Sequence, residues 1–214
     1  ALDISADHLR QATAALQTRY PDVPMLGICC DHSELEALPE HPLLQGQRRI
    51  GFFPGSSLGN FTRLEAVALL RRFRQLLDGG PLLLGLDQPK TPERLEAAYD
   101  DAAGVSAAFA RNLLHRLNTE LGATFDPERF RYEALWQAAE HRVRMALVSR
   151  EPQSVSIAGE CWRFAAEQPL VTEYSVKYTP AMARALAAEA GWYWRQRWHD
   201  PADDLSLHWL DAAD

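Results

Sequence analysis

Apolar runs of strand length alternate with amphipathic helical stretches over the first part of the chain. Wholly apolar runs of this kind are typical of strands that are covered on both faces. Ser5 and Thr62 are residue types that begin helices, and apolar residues recur at helical spacing after each of them. The predicted strands are ALDI (1–4), VPMLGICC (23–30), RRIGFFP (48–54) and PLLLGLD (81–87), with helices at 6–20 and 62–77. This rhythm predicts an α/β fold, a doubly wound parallel sheet with helices on both faces.

The pattern changes after residue 92 and returns to the earlier type near residue 179. Residues from Glu93 to about Leu121 have helical periodicity with a break near Gly104, and residues 130–178 alternate like strands. Thr179-Pro180 then begins another helix, which two predicted strands follow. We therefore expect residues 1–92 and 179–214 to form the α/β core, and residues 93–178 to form an inserted domain of mixed α+β structure.

The stretch LVTEYSVKYT (170–179) alternates with period two, as a strand does. The alternation puts Val171, Glu173 and Ser175 on one side of the strand. Successive residues on one side are about 7 Å apart, at roughly 3.3 Å per residue. The pair Glu173 and Ser175 is therefore either the solvent-exposed face of a strand or a polar clamp in the wall of a pocket.

Charge and cysteine content narrow the class of protein. The net charge of −7 disfavours nucleic acid and anionic membranes as partners. Three cysteines suggest reduced thiols and a cytoplasmic location, and the cluster CCDH (29–32) lacks the C-x₂-C spacing of a zinc site. No apolar run is long enough for a transmembrane helix. We expect a monomer that binds a small molecule and no metal.

Polar residues follow the predicted parallel strands, at the edge of the sheet where ligands of such folds bind. An acid in the position of Asp3 commonly holds ribose hydroxyls, although it could equally be a neighbour of a helix N-cap. Asp31 and His32 end the next strand and could equally be solvated loop residues. Asn60 closes the small-residue loop PGSSLGNFT (54–62), which is neither a Walker loop nor a G-x-G-x-x-G turn. A turn asparagine is the alternative for Asn60.

Two residues of the predicted insertion have ordinary structural explanations. Tyr99 lies in the helical segment AAYDDAAG, where a half-buried ring with a hydrated hydroxyl is expected. Met145 lies in VRMALVS, where methionine is usually core filler. Neither pattern by itself indicates a site.

Five ordered motifs together resemble the histidine-specific methyltransferase family. Members of that family use S-adenosylmethionine to trimethylate the α-amine of histidine on the way to ergothioneine. The motifs are FFPGSSLGNFT, LLLGLD, AAYDDAAGVSAAF, LNTELGATFD and TEYSVKYT. The resemblance extends over nearly the whole chain, and it implies a class I methyltransferase core of Rossmann-like type with a family-specific substrate domain. It also implies S-adenosylmethionine as the cofactor.

The resemblance implies cofactor-binding roles for the residues at the predicted sheet edge. Asp3 matches the acid that holds the ribose of the methyl donor, and Asp31 matches the acid that hydrogen-bonds the adenine amine. His32 stands where the family often has an aromatic residue, so it belongs to the same expected site. Family members carry a first strand, a Gly-rich loop and a substrate lid before this point. We therefore expect the chain to be N-terminally truncated, and such a fragment could be inactive by itself.

The resemblance implies substrate-binding roles for the remaining candidates. Asn60 matches the asparagine that contacts the amine and carboxylate of histidine, and Tyr99 matches a tyrosine that grips the carboxylate. We assign both as catalytic as well. Met145 matches a pocket-wall position near the imidazole, and Glu173 and Ser175 match the pair that binds the ring.

The expected activity is therefore N-methylation of the α-amine of histidine. One alternative is methylation of another amino-acid or indole amine on the same fold. An indole has one N–H donor and no acceptor, so it would leave the Ser175 hydroxyl unused. The other alternative is a non-catalytic fragment that binds a small molecule.

Overall fold

The computed structural model describes residues 1–213. Its helices are α1 (Ala6–Arg19), α2 (Arg63–Leu76), α3 (Pro92–Tyr99), α4 (Val105–Leu121) and α5 (Pro180–Glu189). Its strands are β1 (Leu2–Asp3), β2 (Ile28–Cys29), β3 (Gly51–Phe53), β4 (Leu82–Asp87), β5 (Phe130–Gln137), β6 (Arg142–Ser149), β7 (Gln153–Ile157), β8 (Glu160–Phe164), β9 (Pro169–Val176), β10 (Trp192–His199) and β11 (Leu205–Ala212). In the described part of the chain, no helix combines the length and the apolar character needed to cross a membrane.

Four strands form the central sheet in the order β10-β11-β4-β3. β3 is parallel to β4, whereas β11 runs antiparallel to both β4 and β10. β1 and β2 form a separate parallel ladder with Asp3 opposite Cys29. Parallel strands joined by helices agree with the α/β class that the sequence predicts.

One face of the central sheet carries the main hydrophobic core. Leu82, Leu84 and Leu86 alternate along β4, point to that face and pack with residues of α2 and α5. α2 begins with a complete capping box, in which the Thr62 hydroxyl accepts from the Glu65 amide and the Glu65 carboxylate accepts from the Thr62 amide. The core between sheet and helices therefore supports the carboxyl ends of β3 and β4, where the site begins.

The opposite face of the central sheet is less covered than the apolar runs predict. Phe53 packs against the core, but Phe52, on the other face of β3, is 67% exposed. The expectation that β3 is covered on both faces is wrong, because α2 and α5 both pack on the Phe53 side. β2 is also shorter than predicted and contains only Ile28 and Cys29, with Cys29 exposed.

Strands of the predicted insertion form a second, antiparallel sheet in the order β5-β6-β9, next to the hairpin β7–β8. On one face of this sheet, α4 packs over Phe130 and Leu147 at one end. On the same face, α3 packs over Ala134, Val143 and Met145 at the other end. The division of the chain at residues 92 and 179 stays a prediction. α3 and this face of the sheet carry Tyr99, Met145, Glu173 and Ser175 of the site described below.

A network of hydrogen-bonded, largely buried polar side chains links β10 and β11 to Gln88, the residue that follows β4. His208 is fully buried, and its Nδ1 accepts from the Trp194 indole N–H at 2.8 Å. Its Nε2 therefore carries the proton and lies 2.7 Å from the Ser206 hydroxyl, which also accepts from the Gln88 amide at 2.7 Å. Burial, together with Arg197 and Arg184, lowers the pKa of His208 to about 4, so the imidazole is neutral at neutral pH.

Because His208 resists protonation in the folded protein, we expect stability to fall in mild acid. The unfolded state takes up the proton near pH 6.5 and the folded state only near pH 4. The free energy of unfolding should therefore drop as the pH is lowered through this window, by at most about 3 kcal/mol. Urea unfolding of the wild type and of a His208→Gln variant checks this, since glutamine cannot titrate. Identical pH profiles for the two proteins would contradict it.

Candidate functional site

The loop after β3 is held against the ends of two other strands. Gly59 approaches β9 so closely that an added Cβ would lie 2.6 Å from the carbonyl oxygen of Val176. Ser56, whose φ of 58° is left-handed, accepts a hydrogen bond from the Asp87 amide at 2.8 Å. A side chain at position 59 would push the loop away from β9. This packing holds Asn60, at the end of the 3₁₀ turn Ser57–Asn60, beside the second sheet.

β9 contains a β-bulge that decides which of its side chains face the site. The β9 partners of two consecutive β6 residues are Val171 and Glu173, so Thr172 is an extra residue in the ladder. The bulge reverses the alternation, and Val171 falls on the face opposite Glu173 and Ser175. The expectation that Val171 shares their face is wrong for this reason. Glu173 and Ser175 do share one face, as their spacing predicts.

Glu173 lies between Asn60 and Met145. Its Oε1 accepts a hydrogen bond from Asn60 Nδ2 at 2.7 Å, and the buried Met145 stands opposite Glu173 in the β6–β9 ladder. Burial raises the pKa of the Glu173 carboxyl above its ordinary value. A carboxylate accepts several hydrogen bonds, so Glu173 can accept from a ligand N–H while it keeps its bond to Asn60.

Tyr99 and Ser175 form a second pair beside Glu173. Their hydroxyl oxygens are 2.9 Å apart. The Lys177 ammonium donates to both hydroxyls, to Tyr99 Oη at 2.6 Å and to Ser175 Oγ at 2.9 Å. The Tyr132 hydroxyl donates to the Tyr99 carbonyl at 2.8 Å, which fixes the end of α3 on β5. A helix end and a strand therefore present their two hydroxyls at one point.

Lys177 and Asp87 belong to the site although the sequence analysis does not identify them. Lys177 is 1% exposed, and its ammonium pairs with Asp87 Oδ2 at 2.6 Å. Burial alone would raise the pKa of Asp87, but the hydrogen bonds and charges of Lys177 and Lys90 outweigh burial and lower it. Both residues carry a usable signal, since Asp87 ends a parallel strand and Lys177 follows Ser175 at the same two-residue spacing.

Asp3 is the last residue of β1, and Asp31 follows the last residue of the paired strand β2 by two positions. Asp3 Oδ1 accepts from the Ser5 amide at 2.8 Å, at the start of α1. Asp31 Oδ1 accepts from both the Ser33 hydroxyl at 2.6 Å and the Ser33 amide at 2.8 Å. These hydrogen bonds from Ser33 lower the pKa of Asp31. Asp31 is therefore a carboxylate at neutral pH and can accept from a ligand amine.

His32 packs into an aromatic cluster and does not stand open beside Asp31. Its ring centroid lies 5.8 Å from that of Phe53, 6.3 Å from Phe73 and 6.5 Å from Phe61. Its Nε2 is buried and has no hydrogen-bond partner among residues 1–213. Because Phe61 directly follows Asn60, this cluster joins the two parts of the site.

The structure thus divides the predicted site residues into two groups, one around β9 and the end of α3 and the other after the β1–β2 ladder. Hydrogen bonds and ladder pairing join the members of one group, which are Asn60, Tyr99, Met145, Glu173 and Ser175. The two acids of the other group share the end of the β1–β2 ladder, and His32 connects them to the core.

In sequence, the chain matches the model of one protein family and several individual proteins. The model of a family described as "Histidine-specific methyltransferase, SAM-dependent" matches residues 1–212. The chain is 40% identical over 209 residues to the Histidine N-alpha-methyltransferase of Mycolicibacterium smegmatis, a match that covers 96% of the chain and 64% of that relative. It is 30% identical over 141 residues to Ergothioneine biosynthesis protein 1 of Schizosaccharomyces pombe, covering 64% of the chain and 18% of that protein. The chain thus spans 64% of the length of the bacterial relative.

Among solved structures, an S-adenosylmethionine-dependent methyltransferase from Clostridium acetobutylicum has a similar fold. The TM-score is 0.52 at 12% identity, and the match covers 100% of this chain and 74% of that one. At this identity the likeness concerns the fold alone. It confirms the expected α/β, Rossmann-like fold of class I methyltransferases.

We expect Asn60 and Glu173 to be energetically coupled in the protein without ligand. A cycle of Asn60→Ala, Glu173→Ala and the double variant should give a coupling energy of roughly 0.5–1 kcal/mol in urea unfolding. This is low for a charge-assisted bond because Asn60 is exposed. A coupling energy of zero would mean that the hydrogen bond does not form in solution.

Proposed function

Because the chain belongs to the family of histidine-specific, S-adenosylmethionine-dependent methyltransferases, we propose that it transfers methyl groups from S-adenosylmethionine to the α-amine of histidine. The observation that carries this proposal is the polar wall in which the Glu173 carboxylate stands beside the hydroxyl pair of Ser175 and Tyr99. We further propose that the product is the trimethylated amine used to make ergothioneine, in keeping with the name of the Schizosaccharomyces pombe relative.

The residues at the end of the β1–β2 ladder fit the donor. Asp3 and Asp31 offer carboxylate oxygens at neighbouring strand ends, as ribose hydroxyls and an adenine amine require. The buried, unpartnered Nε2 of His32 is a polar atom that a nearby ligand group or water could satisfy. We therefore assign Asp3, Asp31 and His32 to the donor side.

The polar wall fits an imidazole ring. The ring of neutral histidine has one N–H donor and one bare nitrogen that accepts. Glu173 can accept from the N–H, and a hydroxyl of the Ser175 and Tyr99 pair can donate to the bare nitrogen. Met145, buried opposite Glu173, supplies an apolar surface for the ring.

Bound S-adenosylmethionine supplies a methyl group on a positively charged sulfur, which a neutral amine nitrogen can attack. Asn60 and Tyr99 serve this step by holding the amine and carboxylate of histidine in position, which converts binding into reactive geometry. Asn60 can do so because the close packing of Gly59 on β9 fixes the end of its loop. An amide that both donates and accepts tolerates an amine whose hydrogens are replaced one by one.

The cellular setting follows from the thiols. Cys29, Cys30 and Cys161 are all free, and Cys29 and Cys161 are exposed. We propose a cytoplasmic location on this ground, since exposed free thiols persist in reducing compartments. The monomeric state stays a prediction from the sequence.

Glu173→Ala should weaken histidine binding by roughly 10- to 150-fold, because it removes a charge-assisted hydrogen bond of about 1.5–3 kcal/mol. Discrimination against phenylalanine should fall as well, since its ring has no N–H and leaves the half-buried carboxylate of the wild type without a ligand donor. Calorimetric titration of both amino acids into the full-length protein, with S-adenosylhomocysteine present, measures the two effects.

The matched control is Glu160→Ala, which removes an exposed carboxylate from β8 and should change neither affinity. Equal histidine affinity in the wild type and the Glu173→Ala variant would remove histidine as the proposed substrate.

Asp3→Ala should weaken donor binding by roughly 10- to 150-fold, because it removes hydrogen bonds from ribose hydroxyls to a charged group. The control is Asp7→Ala, since Asp7 lies in the first turn of α1, is exposed and pairs only with Arg10 among the ion pairs described. Calorimetric titration of S-adenosylmethionine into the three proteins gives the comparison. Unchanged donor affinity in Asp3→Ala would take Asp3 out of the donor site.

A further inference from the structure

The hydrogen bonds of Lys177 account for every proton on its ammonium group. An ammonium has three N–H donors and no acceptor. In this protein its partners are Asp87 Oδ2 at 2.6 Å, Tyr99 Oη at 2.6 Å and Ser175 Oγ at 2.9 Å. Since Lys177 is 1% exposed, water does not compete for these bonds. Each hydroxyl of the proposed substrate wall therefore already accepts one hydrogen bond from Lys177.

The remaining protons of the two hydroxyls can then be counted. Tyr99 and Ser175 have one proton each, and their oxygens are 2.9 Å apart, so one of the two protons lies between them. The hydroxyl that accepts this proton accepts from Lys177 as well, which fills its acceptor capacity. The proton of that same hydroxyl has no partner within the pair and is free to be donated to a ligand. In either arrangement the pair offers a ligand one proton, on the hydroxyl that accepts twice, and one lone pair, on the other hydroxyl.

We propose that Lys177 determines substrate specificity by biasing the Tyr99–Ser175 pair toward donation, so that the wall favours a ring with an acceptor nitrogen. The ammonium occupies two of the three lone pairs that the bond within the pair leaves free, and its buried charge makes the hydroxyls stronger donors. This inference rests on the proposed function and adds the residue that sets the polarity of the wall. Glu173 accepts and the hydroxyl pair donates, which matches the N–H and the bare nitrogen of neutral imidazole. Lys177 does not touch the substrate in this scheme and is a positioning residue.

Lys90 offers a matched comparison within the same charge cluster. Its ammonium pairs with Asp87, as that of Lys177 does, and it is half-buried. Its other described partners are the carbonyls of Gln88 and Asp204, not the hydroxyls of the wall. Loss of Lys90 therefore weakens the ion pairing of Asp87 without changing which way Tyr99 and Ser175 donate.

The test compares histidine with β-(pyrrol-2-yl)alanine, whose five-membered ring keeps an N–H but has carbon in place of the acceptor nitrogen. We expect the wild type to prefer histidine by at least tenfold, because the pyrrole leaves the free hydroxyl proton unpaired. Lys177→Met should reduce this preference by about threefold, since without the ammonium charge the free hydroxyl proton makes a weaker hydrogen bond to the acceptor nitrogen. Lys90→Met should leave the preference unchanged.

The measurement is the ratio of the two dissociation constants by calorimetry in the full-length protein, with S-adenosylhomocysteine present. A purely structural role for Lys177 would weaken both ligands alike and leave the ratio where it was. Removal of one partner of a buried ion pair is strongly destabilising, so a second variant, Lys177→Met with Asp87→Asn, removes both charges together. It should reduce the ratio as Lys177→Met does.

The outcomes separate this inference from the proposed function. A wild type that does not bind histidine overturns the proposed function, and the inference with it. A wild type that binds histidine and the pyrrole analogue equally well overturns the inference alone, without any variant. An unchanged ratio in the Lys177 variants, or an equal loss of preference in Lys90→Met, also overturns it.

Discussion

The buried ion pair between Lys177 and Asp87 is the interaction on which the proposed substrate side of the site depends. Asp87 ends β4 of the central sheet, and Lys177 directly follows β9 of the second sheet, so the pair ties one sheet to the other. A buried ammonium must satisfy all its donors, and the tyrosine at the end of α3 supplies the third partner. Central sheet, second sheet and α3 therefore meet at one nitrogen atom.

Close backbone packing brings Asn60 to the same point from the other side. Gly59 leaves no space for a Cβ against Val176, and the Ser56 hydroxyl accepts from the backbone of Asp87. The proposed donor side is attached differently, since β1 and β2 share no ladder with the central sheet and His32 packs on Phe53 and Phe73. Hydrogen bonds and an ion pair hold the proposed substrate side, and aromatic packing holds the proposed donor side.

Local sequence signals were sufficient for the helices and for most strands. The helix starts at Ser5, Thr62 and Thr179-Pro180 and the break near Gly104 all occur where the patterns predict them. These signals work because caps and turns are decided by neighbouring residues. The ordered motifs likewise indicated the family, and the two-residue spacing of Glu173 and Ser175 correctly predicted a shared face.

Only the tertiary structure decided what depends on partners distant in sequence. The bulge at Thr172 arises from pairing with β6, so alternation alone assigned Val171 to the wrong face. The exposure of Phe52 depends on which face α2 and α5 cover, and an apolar run cannot specify that. Lys177 and Asp87 are ninety residues apart, and no local pattern pairs them with each other before the two sheets meet. Burial makes them a pair, and burial is a property of the packed chain, not of its local pattern.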